Sequence, residues 1–201
     1  MAKPAPWLKP AILVGSAVPA AVMAYRAKVG QLGANPVSEA LNQLGLLALV
    51  FLLASLACTP LNKLLKWAWP ARVRRMLGVT AFVYASLHVL TYAGVDQLFD
   101  WKVLFEDVTQ RKFILVGFLA FVLMIPLAVT STDAMVRRLG FNRWKRLHRL
   151  SYPCGALAVV HFLWRVKSDL REPLVYATLL GILFAARLLT RARAGPPKRA
   201  R

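Results

Sequence analysis

Three histidines occur in 201 residues, and two of them stand inside long apolar runs. His88 lies in MLGVTAFVYASLHVLTYAGV, and His161 lies near the end of LSYPCGALAVVHFLW, with His148 just ahead of that second run. An ionisable side chain in hydrocarbon is costly and marks a function more often than an accident. Imidazole is also the commonest protein ligand for metals, haem iron included. The chemistry these residues suggest is axial ligation of iron between two helices. Each has a plainer reading. For His88 and His161 it is a hydrogen bond across a helix bundle. For His148 it is an interfacial cation in the cluster RWKRLHR.

The chain that carries them is 58% hydrophobic, yet holds 27 Lys and Arg against 8 Asp and Glu, for a net charge of +19. That mixture suits a small polytopic membrane protein and not a soluble globule. The cations lie in short blocks between apolar runs and no nucleic-acid motif is present, so we expect no nucleic-acid partner. Cys58 and Cys154 both fall in apolar runs without a C-x-x-C or C-x-x-C-H pattern. They read as small buried residues, and covalent haem attachment is excluded. No dinucleotide, phosphate-loop, zinc-protease or serine-hydrolase motif competes for the function. The apolar runs lack Asp and Glu, which argues against a carboxylate proton relay or cation pathway.

A spanning helix needs about 20 apolar residues. Six segments qualify or nearly qualify: 8–25, 44–61, 76–95, 113–132, 150–164 and 173–190. The last two are short, and their flanking cations must snorkel outward. With both termini on the cytoplasmic side, 19 of the 27 cations and one acid, Asp133, fall inside, while 7 of the 8 acids fall outside. Every loop then obeys the positive-inside rule, and Trp7, Trp67, Trp69 and Trp144 mark the inner edge, Trp101 and Trp164 the outer. The expectation is an all-α membrane protein, a bundle of six transmembrane helices over residues 1–192, with a basic disordered tail over 193–201. A rival reading makes the first run, with Lys3, Lys9 and the small-residue stretch PAAVMA, a secretory signal; a retained helix is the preferred one.

Between the spans, Leu98, Trp101, Phe105 and Val108 recur at helical spacing in the external segment 96–112. This predicts a short amphipathic helix on the outer face, with Asp100, Glu106 and Asp107 between the apolar positions; the plainer reading is a loop with a solvated charged side, and the sharper one a docking surface for an external partner. On the inner side, Ser131-Thr132-Asp133 can cap a short helix that Gly140 ends, and Asn142 can cap the helix bearing His148 and His161. Pro173 suits the first turn of the last span.

The third and fifth spans run in the same direction. His88 stands fourteen residues beyond Arg74, and His161 thirteen beyond His148, each about 20 Å along a helix. His88 and His161 thus sit at matched depth in the outer half, and Arg74 and His148 at matched depth near the inner face. The azimuths agree less well: on ideal helices Arg74 returns to within about 40° of His88, while His148 lies about 140° from His161. Pro153 stands between them and could loosen that turn. Small residues, Gly78, Ala81 and Ala85 on one helix and Gly155, Ala156 and Ala158 on the other, would let a flat macrocycle approach the backbone, although helix packing uses the same residues.

LGANPVSEALNQLG, FLLASLACTPL, RRMLGVTAFVYASLHVLTY, TSTDAMVRRLGFNRWKRLHRLSYP and VVHFLWRVK, in that order, closely resemble the MsrQ (YedZ) family over roughly residues 32–167. This is a family of haem-binding membrane subunits, similar to the transmembrane domains of ferric reductases and NADPH oxidases. The resemblance implies a ferric-reductase-like bundle in the bacterial inner membrane, with b-type haem carried by the third and fifth helices and one or two haems in all. The family's histidines fall on His88, His148 and His161. It implies electrons entering from quinol or a cytosolic flavin reductase, with FMN or a quinone as further candidate cofactors. The electrons leave to a periplasmic molybdopterin partner, MsrP, which reduces methionine sulfoxide. The chain would then be the electron-transfer subunit and not the catalytic one. Related oxidase domains carry a fourth histidine near Arg74, which this chain lacks. Arg74 is therefore a candidate for a haem-propionate or quinone contact, with His148 an inner-haem ligand or part of that same inner site. Two other classes are a quinol-linked dihaem cytochrome serving another acceptor and a cofactor-free transporter or assembly subunit.

Overall fold

A computed structural model describes residues 6–192; the basic tail expected at 193–201 lies outside them. The regular structure of the described residues is helical, with the α-helices in the order α1 (Leu8–Lys28), α2 (Pro36–Leu64), α3 (Trp69–Leu90), α4 (Trp101–Gln110), α5 (Lys112–Val129), α6 (Asp133–Leu139), α7 (Phe141–Leu147), α8 (Ser151–Arg165) and α9 (Arg171–Ala192). Five segments are long and apolar enough to cross a membrane: α1, α2, α3 with its continuation to Asp96, α5, and Arg171–Thr190 of α9. The sixth expected span coincides with α8, whose fifteen residues reach only about 22 Å at 1.5 Å each.

α2 is the hub, packed along α3 and also against α8 and α9, while α5 pairs with α8. Two apolar clusters hold this arrangement. Leu49, Leu53 and Leu56 of α2 meet Val159 of α8 and Leu180 of α9, and Leu52, Ala81, Met124 and Cys154 join α2, α3, α5 and α8. Both cysteines are free and buried, as small apolar fillers. α1 packs lightly against α2 and α3. Ser16 is its one buried residue, and Tyr84 Oη donates to the Ser16 carbonyl at 2.6 Å.

Local signals explain most boundaries. Asn35 accepts the Ser38 N–H, and Pro36 opens α2 at a position that has no helical N–H partner to lose. Thr132 caps α6 and Gly140 ends it at φ 74°, as expected. Asp100 caps α4, the expected amphipathic helix, by accepting from Lys102 and Val103. Leu98 precedes that helix in a left-handed turn with Phe99 (φ 48° and 57°). The Phe99 ring closes over Gly94, where a Cβ would lie 2.9 Å from it.

The structure corrects two expectations. Asn142 caps nothing: α7 starts at Phe141 with Gly140 before it and no side-chain cap. His148 and His161 do not share one helix, because a 3₁₀ turn, His148–Leu150, separates α7 from α8. Pro153 lacks an N–H for the Arg149 carbonyl and crowds it, so the α ladder fails in the turn before it. The segment 96–112 carries a helix and is not the plain loop of the alternative reading, and its Asp107 is buried; Tyr92 Oη donates to it at 2.6 Å, and Arg111 pairs with it at 3.0 Å.

Candidate functional site: a paired-histidine cavity

α3 and α8 bring the His88 and His161 rings together edge to face. Their ring centroids lie 6.3 Å apart and the planes are 83° from parallel. Each ring is fixed from behind by a carbonyl of a different helix. His88 Nδ1 lies 2.9 Å from the Leu41 oxygen, and His161 Nδ1 lies 2.7 Å from the Phe113 oxygen. A carbonyl only accepts, so each Nδ1 carries the proton and donates it. The tautomer is thereby set, and each Nε2 keeps a lone pair for a metal, in the arrangement that orients metal-binding imidazoles.

Two glycines make room for the rings. A Cβ on Gly117 of α5 would fall 2.5 Å from His161 Nδ1, and one on Gly45 of α2 would fall 3.2 Å from His88. Both carbonyl bonds depend on this close approach. The small residues named from sequence do other work in part. Gly78 lies against Ser55 and Gly155 against Leu56, whereas Ala85 and Ala158 do line the site. Gly45 and Gly117 escaped sequence reading because they stand on α2 and α5, helices without a histidine.

The pair borders a cavity of about 570 Å³, walled mainly by apolar side chains of α2, α3, α5 and α8. That volume suits a cofactor or drug-sized ligand. Its mouth, where α3 and α8 end and α2 and α5 begin, carries Asn42, Tyr92, Arg111 and Arg165. Just past His88 the helix widens into a π turn, Thr91–Asp96, of the kind that often accompanies functional sites. Tyr92 and Ala93 of that turn face the cavity.

The donor set fits haem and fits a protein-ligated ion poorly. Among the described residues no three His, Cys, Asp or Glu side chains converge, whereas a mononuclear zinc site draws at least three protein ligands. Two imidazoles with free Nε2 atoms are the axial set that a macrocycle-held iron needs. His88 and His161 would hold such a macrocycle from two helices, their ring centroids 6.3 Å apart, and the group would supply the redox-active iron.

His148 is placed elsewhere. It stacks on Trp144 at 3.9 Å, its Nδ1 donates to the Trp144 carbonyl at 3.1 Å, and its Nε2 lies 3.4 Å from Ser131 Oγ. Burial, reinforced by Arg74 and Arg75, holds its pKa below the usual imidazole value. The Arg74 carbonyl accepts from Ser55 Oγ at 3.0 Å. Neither His148 nor Arg74 lines the paired-histidine cavity. Trp144 is partly covered as the partner of His148, with Nε1 donating to the Thr130 carbonyl.

The family described as "Ferric reductase like transmembrane component" matches residues 40–160, a stretch that contains His88 and His148 and stops one residue before His161. The chain is 49% identical over 183 residues to the "Protein-methionine-sulfoxide reductase heme-binding subunit MsrQ" of Rhodospirillum rubrum, covering 91% of this chain and 88% of that one. It is 46% identical to the protein of the same name from Deinococcus radiodurans, over 98% of this chain and 96% of the relative. The Azospira oryzae MsrQ is 44% identical over 94% of this chain and 82% of its own. No solved structure matches. Identity at this level over nearly the whole length, on a helical frame that joins two histidines across one cavity, means that the chain belongs to the MsrQ family of ferric-reductase-like membrane proteins.

Proposed function

We propose that the protein is the haem-binding, electron-carrying membrane subunit of a methionine sulfoxide reductase system. On this reading His88 and His161 hold one b-type haem through their Nε2 atoms. The observation that carries the reading is the pair of carbonyl-anchored imidazoles, Leu41 behind one and Phe113 behind the other, with centroids 6.3 Å apart. Haem bound there supplies reversible one-electron transfer. The chain's own part is to fix both ring tautomers, to seat the rings against Gly45 and Gly117, and to keep water from the iron's surroundings with the apolar walls of α2 and α5. Electrons would be passed to an external molybdopterin reductase, MsrP, which carries out the sulfoxide chemistry.

The donor side belongs at the opposite end of the bundle. Arg74 and Arg75 lie close enough to His148 to help burial hold its imidazole neutral, and the two guanidiniums would suit an anionic flavin (FMN) or a quinone head group, supplied by quinol or a cytosolic flavin reductase. Both His148 nitrogens already have neighbours at hydrogen-bonding range, which favours this donor-side role over ligation of a second haem. The membrane reading is six spans in a bacterial inner membrane with both termini cytoplasmic, α8 completing the bundle with help from its flanking cations.

The test is the haem content of purified full-length protein. His88→Ala and His161→Ala should each remove most of the reduced-minus-oxidised haem absorbance. His148→Ala should keep it and slow reduction by the donor. Full absorbance in both of the first two variants would overturn the assignment.

A further inference from the structure

Arg165 is a half-buried cation on the wall of the cavity, and its position invites an anion. It lies four residues after His161 on α8, so it points from the same helical face one turn nearer the mouth. Its Nη1 donates to Asn42 Oδ1, a neutral amide, and its guanidinium sits 5.7 Å from the Phe162 ring. Among the described residues the ion pairs are Arg75–Asp133 and Arg111–Asp107, and Arg165 is in neither. Glu172 reaches it only at longer range. The other mouth cation, Arg111, already has its charge met by the buried Asp107, which Tyr92 holds in place. A guanidinium kept at the edge of an apolar cavity without a bonded counter-charge gains most from a carboxylate, which accepts its parallel N–H groups. It is pre-aimed, because Asn42 restrains the side chain without neutralising it.

We propose that Arg165 is the anion-binding residue of this cavity and pairs with one carboxylate of the tetrapyrrole held by His88 and His161. The proposal rests on the haem reading above and adds an orientation: the carboxylate edge faces the mouth formed by the start of α2 and the end of α8. Arg111 is left to secure α4 through Asp107. A lipid phosphate is the other anion that could reach a mouth arginine, and the test separates the two.

The full-length protein, prepared without haem in detergent, is reconstituted with haem b or with its dimethyl ester, and loss of each to a haem-scavenging apoglobin is timed. Wild type should lose the ester at least about tenfold faster than haem, the factor carried by one charge-assisted hydrogen bond. In Arg165→Gln the two rates should converge, in Arg165→Lys the difference should shrink without vanishing, and in Arg111→Gln it should stay at the wild-type size. Equal rates for the two tetrapyrroles in wild type, or an undiminished difference in both Arg165 variants, would overturn the proposal while leaving His88 and His161 as ligands; the second result is what a lipid phosphate at Arg165 predicts. A wild-type protein that takes up neither tetrapyrrole would overturn the haem reading and this inference with it.

Discussion

The tightest constraint at the residue scale is the space behind each imidazole. An Ala at 117 would put a methyl 2.5–3.1 Å from three atoms of the His161 ring, whereas an Ala at 45 would meet His88 no closer than 3.2 Å. Real Cβ atoms do not tolerate the first approach, so the ring must move and its bond to Phe113 must lengthen or break. Overpacking of this kind costs about 1–3 kcal/mol. Gly117→Ala should therefore lower haem occupancy or shift the reduced absorbance bands clearly, and Gly45→Ala should do so less. Pyridine-haemochrome quantitation of the two purified variants checks the order. The reverse order would mean that these glycines are packing residues unrelated to the ligand geometry.

At the scale of elements, the break between α7 and α8 resolves the azimuth conflict in part. A 3₁₀ residue turns about 120° against about 100° for an α residue, so three of them cut the His148–His161 mismatch from about 140° to about 80°. The two still do not share a groove, which agrees with His148 packing on Trp144 and not on the cavity. α1 poses a different question, since its face toward the bundle buries little and Tyr84 supplies a hydrogen bond to it. Tyr84→Phe keeps the stacking on Phe51, whose ring lies 5.4 Å away, and removes about 1 kcal/mol of hydrogen bonding. The expected result is a modest fall in melting temperature in detergent and faster proteolysis in the segment between α1 and α2. A second tie, Arg75 to Asp133 at 2.6 Å, joins α3 to α6. Arg75 lowers the Asp133 pKa below its ordinary 3.8. The pair's contribution is thus fully present above about pH 4 and is lost as pH falls through the lowered folded value. Both side chains are exposed, so the contribution is small. Any difference in melting temperature between wild type and Asp133→Asn at pH 7 should shrink progressively as the pH is taken below about 4.

At the scale of the whole molecule, the outer surface is what a bilayer requires. Leu13, Val18, Phe118, Val122, Ile182 and Leu188 are among the large apolar side chains exposed on α1, α5 and α9. Topology is the open quantity, because α8 is shorter than the about 30 Å hydrocarbon layer. If α8 crosses, six spans return the C-terminus to the side of the N-terminus. Reporter fusions after residue 192 and within 166–170 should then report opposite sides, the first cytoplasmic. Matching signals from both positions would show that α9 does not cross.

The sequence by itself determined the helical class, the positions of the long spans, the caps at Thr132 and Gly140 and the two histidines at one depth. Those features follow from local physics: apolar run length, capping chemistry and the cost of an imidazole in hydrocarbon act within a turn or a span. Only the tertiary structure decided that Leu41 and Phe113 anchor the rings, that Gly45 and Gly117 clear space for them, that Asp107 is buried under Tyr92, and that Asn42 holds Arg165. These partners stand 47, 48, 15 and 123 residues apart along the chain for the His88, His161, Tyr92 and Arg165 bonds. Glycine and asparagine carry no signal of such roles in their own neighbourhoods. Which carbonyl meets which ring depends on how α2 and α5 pack beside α3 and α8, and helix packing is set by the fit of whole surfaces.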